Sequence, residues 1–216
     1  MAKLTAQLIN QGLITLDHVI SNQELLMSVA PIRIMVTGGV LAVLRLHVRS
    51  ATEDVDFILD PNVDAAEEYR AEFFQAINTV SDAVEGLPTG WLNDHVRVFI
   101  PTDKRMELFL SSVDQNIVIY KGENLVVYAS KLDWALESKL ARIETLKPGH
   151  DKRNTDISDA VEMIRLMIEA NGDEQPISRE YLNGLNFSNQ SGQPNENAIT
   201  AVASAYEQKY GKKGIV

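Results

Sequence analysis

The chain has 216 residues, 45% of them hydrophobic, and 30 acidic against 20 basic residues give it a net charge of −10. This length suits one large domain, or one domain with a helical appendage, and the apolar share is enough for a buried core. The acidic balance excludes a broad surface that coats nucleic acid, and the absence of cysteine excludes disulfides, a disulfide-linked partner and thiolate metal sites.

No apolar run approaches the roughly 20 residues that a membrane-spanning helix needs. The first 20 residues are interrupted by Asn, Gln and Asp, which is not typical of the apolar core of a signal peptide. We therefore expect no membrane partner and a cytoplasmic location.

The first part of the chain mixes helical and strand patterns. Residues 3–29 have apolar side chains at helical spacing and predict one or two helices, which Pro31 ends. Short apolar runs then predict a strand, a buried helix and a second strand, and an amphipathic pattern predicts a longer helix. These four elements are Ile32–Thr37, Val40–His47, Val55–Leu59 and Asp64–Val84.

The second part begins with strand patterns and ends with helical ones. Four short apolar runs between turn residues predict strands over Val96–Ile100, Met106–Leu110, Ile117–Tyr120 and Leu125–Tyr128. Three helices are predicted from Ser130 to about Leu146, from Asp156 to Asn171 and from Ala198 to Tyr210, with a polar loop over residues 186–197. The order predicts an α+β fold with a small mixed sheet, in which residues 1–129 form an α/β core with N-terminal helices and residues 130–216 a C-terminal helical region.

Two adjacent glycines, Gly38 and Gly39, follow the first predicted strand and open the next helix. Glycine has no Cβ, so the backbone can approach a ligand closely, and the N-terminus of a helix favours phosphate. The pattern is compatible with a phosphate-binding turn, although most Gly-Gly pairs only make tight turns.

Two carboxylates, Asp54 and Asp56, stand at alternate positions beside the strand Val55–Leu59. Alternate side chains of a strand share a face, and neighbouring carboxylates repel each other unless a cation or water lies between them. Mg²⁺ prefers oxygen ligands and typically uses one or two carboxylates plus substrate phosphates. The pair is compatible with an Mg²⁺ site, and an ordinary turn or surface role is the alternative.

The order of these motifs resembles the nucleotidyltransferase fold of the DNA polymerase β superfamily and, more narrowly, the AbiEii-type nucleotidyltransferases. That family usually reads Gly-Gly, a short helix, then Arg-x-Thr-x-Asp-x-Asp, whereas "RSATEDVD" has one residue more between Arg49 and Thr52. The resemblance continues with a Lys on a later helix and an Arg-x-x-Asp-x-x-Asp pattern. Here these residues are Lys139, Arg153, Asp156 and Asp159.

The resemblance implies a metal-dependent nucleotidyltransferase that acts on a nucleoside triphosphate, with tRNA as a further partner. Asp54 and Asp56 would bind Mg²⁺ with Glu107 as a third carboxylate, for which an exposed strand position is the alternative. Asp159 would orient the acceptor or serve as base. The residues implied in substrate and phosphate binding are Gly38, Gly39, Arg49, Thr52, Lys139, Arg153 and Asp156.

Two other functions remain open. The segment "SDAVE", with Asp159 and Glu162, resembles an acidic motif of the fungal arginine-containing cyclodipeptide synthases, which form peptide bonds from aminoacyl-tRNA. These two acids would then be the working carboxylates. The third possibility is a non-catalytic nucleotide-binding module, but the presence of both Asp54 and Asp56 favours catalysis.

Overall fold

The structure is a computed structural model, and it describes residues 3–172, 175–187 and 196–216. The chain divides into two compact units. The first comprises residues 3–98 and 102–131, and the second comprises residues 99–101 with the described part of 132–216. Most of the polar loop predicted over residues 186–197 lies outside the described residues.

The first unit contains a five-stranded mixed sheet and a two-stranded antiparallel ribbon. The strands are β1 (Leu4–Thr5), β2 (Ile32–Thr37), β3 (Ala51–Thr52), β4 (Val55–Leu59), β5 (Leu92–Asn93), β6 (Val118–Lys121) and β7 (Leu125–Ala129). The helices are α1 (Ala6–Ser21), α2 (Glu24–Met27), α3 (Gly39–Leu44), α4 (Pro61–Asp64), α5 (Glu67–Ala83) and α6 (Arg105–Gln115), with short 3₁₀ helices at His95–Phe99 and Thr102–Lys104. The predicted α+β class is confirmed.

The sheet has the strand order β5-β4-β2-β7-β6, with the apolar strand β2 at its centre. β2 runs antiparallel to β4 and parallel to β7, and β4 runs parallel to β5. In this register Thr37 lies opposite Asp56, and Asp56 lies opposite Asn93. The pairing therefore aligns the carboxyl end of β2 with the amino end of β4.

Helix α1 is tied to the sheet by one carboxylate. Thr5 caps the start of the helix by accepting a hydrogen bond from the Leu8 amide at 3.3 Å. Near its end, Asp17 Oδ1 accepts from the backbone amides of Asn124 at 2.8 Å and Leu125 at 2.7 Å. Buried amides need a hydrogen-bond partner, and here the Asp17 carboxylate supplies it for both. The two bonds therefore fix the β6–β7 turn against the helix.

Two of the predicted strands are wrong. Val96–Ile100 lies mainly in the 3₁₀ helix His95–Phe99, and Met106–Leu110 lies within α6. The buried residues of α6 are Leu108, Phe109 and Ser112, which is helical spacing. A five-residue apolar run does not distinguish strand from helix, and the polar residues that continue the helix to Gln115 hid its length.

The second unit is helical in its described part. Its helices are α7 (Leu132–Thr145), α8 (Asp151–Asn171), α9 (Arg179–Asn183) and α10 (Glu196–Tyr210). Helix α8 begins five residues before the predicted start at Asp156, because the His150 side chain accepts from the Lys152 amide at 3.1 Å and caps it. None of the described helices is long and apolar enough to cross a membrane.

Candidate functional site

The Gly-Gly turn joins β2 to α3 in the first unit. Gly38 has a φ of +77°, a conformation that side-chain-bearing residues rarely adopt, and Gly39 is the first residue of α3. Helix α3 has only six residues, so the turn is defined by its backbone path more than by a helix dipole. The positive φ accounts for the first glycine.

Side chains of three other residues crowd this turn. A Cβ added at Gly39 would lie 2.1 Å from Thr52 Oγ1 and 3.7 Å from an Arg49 terminal nitrogen. A Cβ added at Gly38 would lie 3.2 Å from Asp56 Oδ2. The structure therefore brings together five of the residues that the sequence singled out. Arg49 lies beside the turn despite the extra residue between it and Thr52.

A row of polar residues crosses the sheet beside the turn. Because Thr37, Asp56 and Asn93 are register partners on neighbouring strands, their side chains share one face of the sheet. Thr37 and Asn93 are buried, and Asp56 is half-buried. The Asn93 side chain is held by its own loop, accepting from the His95 amide at 3.1 Å.

Ser130 continues this polar row next to β7. Its amide donates to the Val36 carbonyl at 2.8 Å, which extends the β2–β7 ladder by one residue. The side chain is completely buried, and within the described part of the chain its Oγ has no hydrogen-bond partner. Thr37, Asn93 and Ser130 were not among the residues predicted from the sequence to lie at the candidate site. Their shared signal is a polar side chain at the end of an apolar strand.

Asp54 and Asp56 offer the carboxylate oxygens that Mg²⁺ prefers, but among the described residues they do not belong to a larger group of metal-binding side chains. Asp54 lies one residue before β4 and Asp56 within it, and both are half-buried. Two carboxylates suffice for Mg²⁺ when substrate phosphates complete its coordination. Across residues 3–172, 175–187 and 196–216, no group of three or more His, Asp or Glu side chains could hold a metal ion.

Glu107 does not occupy the strand position for which it was singled out. It lies in the first turn of α6 and is exposed. The third carboxylate was inferred from an apolar run that forms a helix, so the reason for choosing Glu107 is removed.

Lys139 lies in a buried ionic network of the second unit. Its Nζ donates to Asp156 Oδ1 at 3.0 Å and to Asp159 Oδ2 at 2.5 Å. Arg142 completes the network with two hydrogen bonds of 2.6 Å to Asp156. Burial alone raises the pKa of Asp156, but the hydrogen bonds and positive charges of Arg142 and Lys139 outweigh it, so the net shift is downward. The network joins α7 to α8 through ionised groups.

The other two residues singled out in the helical part also have structural partners. Arg153 is half-buried and donates from Nε to the Ile143 carbonyl at 3.1 Å. The buried Glu162 accepts from Lys209 at 2.7 Å, from Arg165 at 2.8 Å and from the Tyr210 hydroxyl. Asp159 and Glu162 thus belong to different ionic groups, although they lie on one helix.

Comparison with known proteins adds no family to this description. No protein-family model matches the chain, and no curated protein or solved structure is significantly similar to it. The resemblance to nucleotidyltransferases therefore rests on the residues themselves.

Proposed function

We propose that the protein is a metal-dependent nucleotidyltransferase whose site is built from Gly38, Gly39, Arg49, Thr52 and the Asp54–Asp56 pair. The observation that supports this proposal most directly is the approach of the glycine turn to Asp56, with 3.2 Å between a built Gly38 Cβ and Asp56 Oδ2. A backbone suited to phosphate and a carboxylate suited to Mg²⁺ thus lie within reach of one small ligand.

Each group has a defined task in this proposal. The backbone of the Gly38–Gly39 turn binds the triphosphate, and Arg49 and Thr52 supply charge and a hydroxyl beside it. Asp54 and Asp56 hold Mg²⁺, which when bound neutralises charge on the phosphates. The acceptor hydroxyl oxygen forms a bond to the α-phosphorus, the bond to pyrophosphate breaks, and the hydroxyl proton passes to solvent or a base.

The test is transfer of label from α-³²P-labelled nucleoside triphosphates to total tRNA, with pyrophosphate release followed in parallel. We expect Mg²⁺-dependent transfer by the natural chain and background levels for Asp56→Asn, which removes the charge of one ligand while retaining its shape. The matched control is Asp82→Asn, an exposed acid on α5, which should retain full activity.

Two outcomes would contradict this function. Nucleotide binding without transfer to any acceptor would favour the non-catalytic module. Transfer that survives in Asp56→Asn would remove the carboxylate from the mechanism. The peptide-forming alternative uses Asp159 and Glu162, and no observation favours it, because each already accepts hydrogen bonds from neighbouring cations.

A further inference from the structure

The hydroxyl of Ser130 has no hydrogen-bond partner in the part of the chain that the structure describes, although the residue is completely buried. A buried polar group of this kind destabilises a fold unless a donor or acceptor reaches it. The backbone of Ser130 is satisfied, because its amide donates to the Val36 carbonyl and its carbonyl accepts from the Gln115 side chain at 3.3 Å. The unmet bonding capacity therefore lies in the side chain alone.

The strand pairing directs this hydroxyl to the candidate site. The parallel register of β2 with β7 extends to Ala129, and the next position sets Ser130 beside Thr37. Paired residues of neighbouring strands have their side chains on one face of the sheet, and Asp56 shares that face with Thr37. Thr37, which directly precedes the glycine turn, thus has Asp56 on one side and Ser130 on the other.

The polar row has an open end and a closed end. Asp56 is half-buried, Thr37 is 8% exposed and Ser130 has no exposed surface. A Cβ built on Gly38 would meet Asp56 Oδ2, and no other described atom outside the residues next to Gly38 lies within 4 Å of it. A ligand that enters beside Asp56 therefore has room next to the glycine turn. The Ser130 hydroxyl turns about a single torsion, so it can swing along the row towards this ligand without a change in the backbone.

We propose that the hydroxyls of Thr37 and Ser130 bind the terminal phosphates of an extended polyphosphate, whose other end is held through Mg²⁺ at Asp54 and Asp56. Asp56 and Ser130 are two strand spacings apart, or about 10 Å, so a single phosphate cannot contact both but a chain of phosphates can. Each hydroxyl donates one hydrogen bond to a phosphate oxygen. This assignment rests on the proposed nucleotidyl transfer and gives it a direction, with the reacting phosphate on the β4 side and the leaving pyrophosphate on the β7 side.

The test is calorimetric titration of the full chain with Mg²⁺-tripolyphosphate, which carries no base or sugar, and with orthophosphate. Ser130→Ala should weaken tripolyphosphate binding about tenfold, as expected for losing a hydrogen bond to a charged group, and Thr37→Val should do the same. Orthophosphate should bind the natural chain at least about tenfold more weakly than tripolyphosphate does. Asp56→Asn should raise the Mg²⁺ concentration that binding requires, whereas Ser130→Ala should leave it unchanged.

The melting temperature gives a second readout, which separates a binding role from a structural one. Because Ser130→Ala removes an unsatisfied buried hydroxyl, it should raise the melting temperature by about 2–4 °C. Ser112→Ala is the matched control for burial. Its hydroxyl accepts from the Lys131 amide at 2.9 Å and donates to the Leu108 carbonyl at 2.7 Å, so this variant should melt at a lower temperature. Ser81→Ala, half-buried on α5, should keep tripolyphosphate binding within about twofold of the natural chain.

The outcomes separate the assignment of the two hydroxyls from the function on which it rests. If the natural chain shows no Mg²⁺-dependent binding of tripolyphosphate, both are wrong. If it binds tripolyphosphate but Ser130→Ala binds equally well, or if orthophosphate binds as tightly, the assignment of the hydroxyls alone is overturned. A lower melting temperature in Ser130→Ala would show that a buried water completes the bonding of the hydroxyl, which also overturns the assignment. If Thr37→Val does not fold, Ser130→Ala decides by itself.

Discussion

Removing the Lys139 ammonium should destabilise the protein strongly. Lys139 is 3% exposed, and the two carboxylates that it contacts, Asp156 and Asp159, have no measurable exposure. In Lys139→Met the aliphatic stem is approximately kept and the charge is lost. Asp156 retains Arg142, while both buried carboxylates lose the ammonium that they share.

The expected loss follows from this geometry. Deleting one partner of a buried ion pair leaves an uncompensated charge and costs about 3–5 kcal/mol, whereas deleting one partner of an exposed pair costs about 0–1 kcal/mol. We therefore expect Lys139→Met to lower the free energy of unfolding by at least about 3 kcal/mol. Interpreting Lys139 as a phosphate ligand on the surface instead predicts almost no change in stability.

The assay is urea denaturation followed by circular dichroism, with Lys209→Met as the matched control. Lys209 also pairs with a buried acid, Glu162, but its side chain is 47% exposed, so about 1 kcal/mol or less is expected. In the double variant Lys139→Met with Asp159→Asn, part of the stability should return, because one of the two buried negative charges is removed together with the ammonium. A loss below about 1 kcal/mol in Lys139→Met, or no recovery in the double variant, would refute this reasoning.

Two further predictions concern other buried polar contacts. Asp17→Ala should cost about 2–4 kcal/mol in the same assay, because it strands the Asn124 and Leu125 amides, while Asp82→Ala should change stability by less than about 0.5 kcal/mol. Burial and the hydrogen bond to Glu162 raise the pKa of Tyr210 to about 12. The pKa of Tyr210 is higher in the folded protein than in the unfolded chain, so the protonated hydroxyl stabilises the fold. This stabilisation is complete below about pH 10 and is lost as the pH rises towards about 12. Tyr210→Phe should therefore lose less stability than the natural chain over that interval, and equal losses would contradict the assignment.

The parts of the fold that the sequence predicted are those with a clear local pattern. The strand Ile32–Thr37 has the predicted bounds because most of its residues are apolar and buried and a glycine with positive φ follows it. Met106–Leu110 failed because the same apolar composition serves a strand or one face of a helix. Local pattern therefore located the glycine turn but not the helix that carries Glu107.

The ionic network around Lys139 shows a second limit. Residues Lys139, Asp156 and Asp159 were recognised, but the sequence did not reveal that they bond to one another. Their pairing joins positions 17 and 20 residues apart on α7 and α8, so it depends on how these helices pack. A charged residue on a helix is usually exposed, and only the packing of α7 against α8 shows that Lys139 is buried.

The candidate site depends on strand register, and that register is set by the core. The spacing of Asp54 and Asp56 shows that they share a face, but not which residues lie beside them. Phe57 decides this, because it is 1% exposed and its ring packs against Phe73 with 5.7 Å between centroids. A shift of β4 by one residue would turn Phe57 to the polar face and Asp56 into the core. It would cost the burial of the Phe57 ring and the desolvation of the Asp56 carboxylate. The apolar neighbour of Asp56 thus holds the carboxylate opposite Thr37 and beside Gly38.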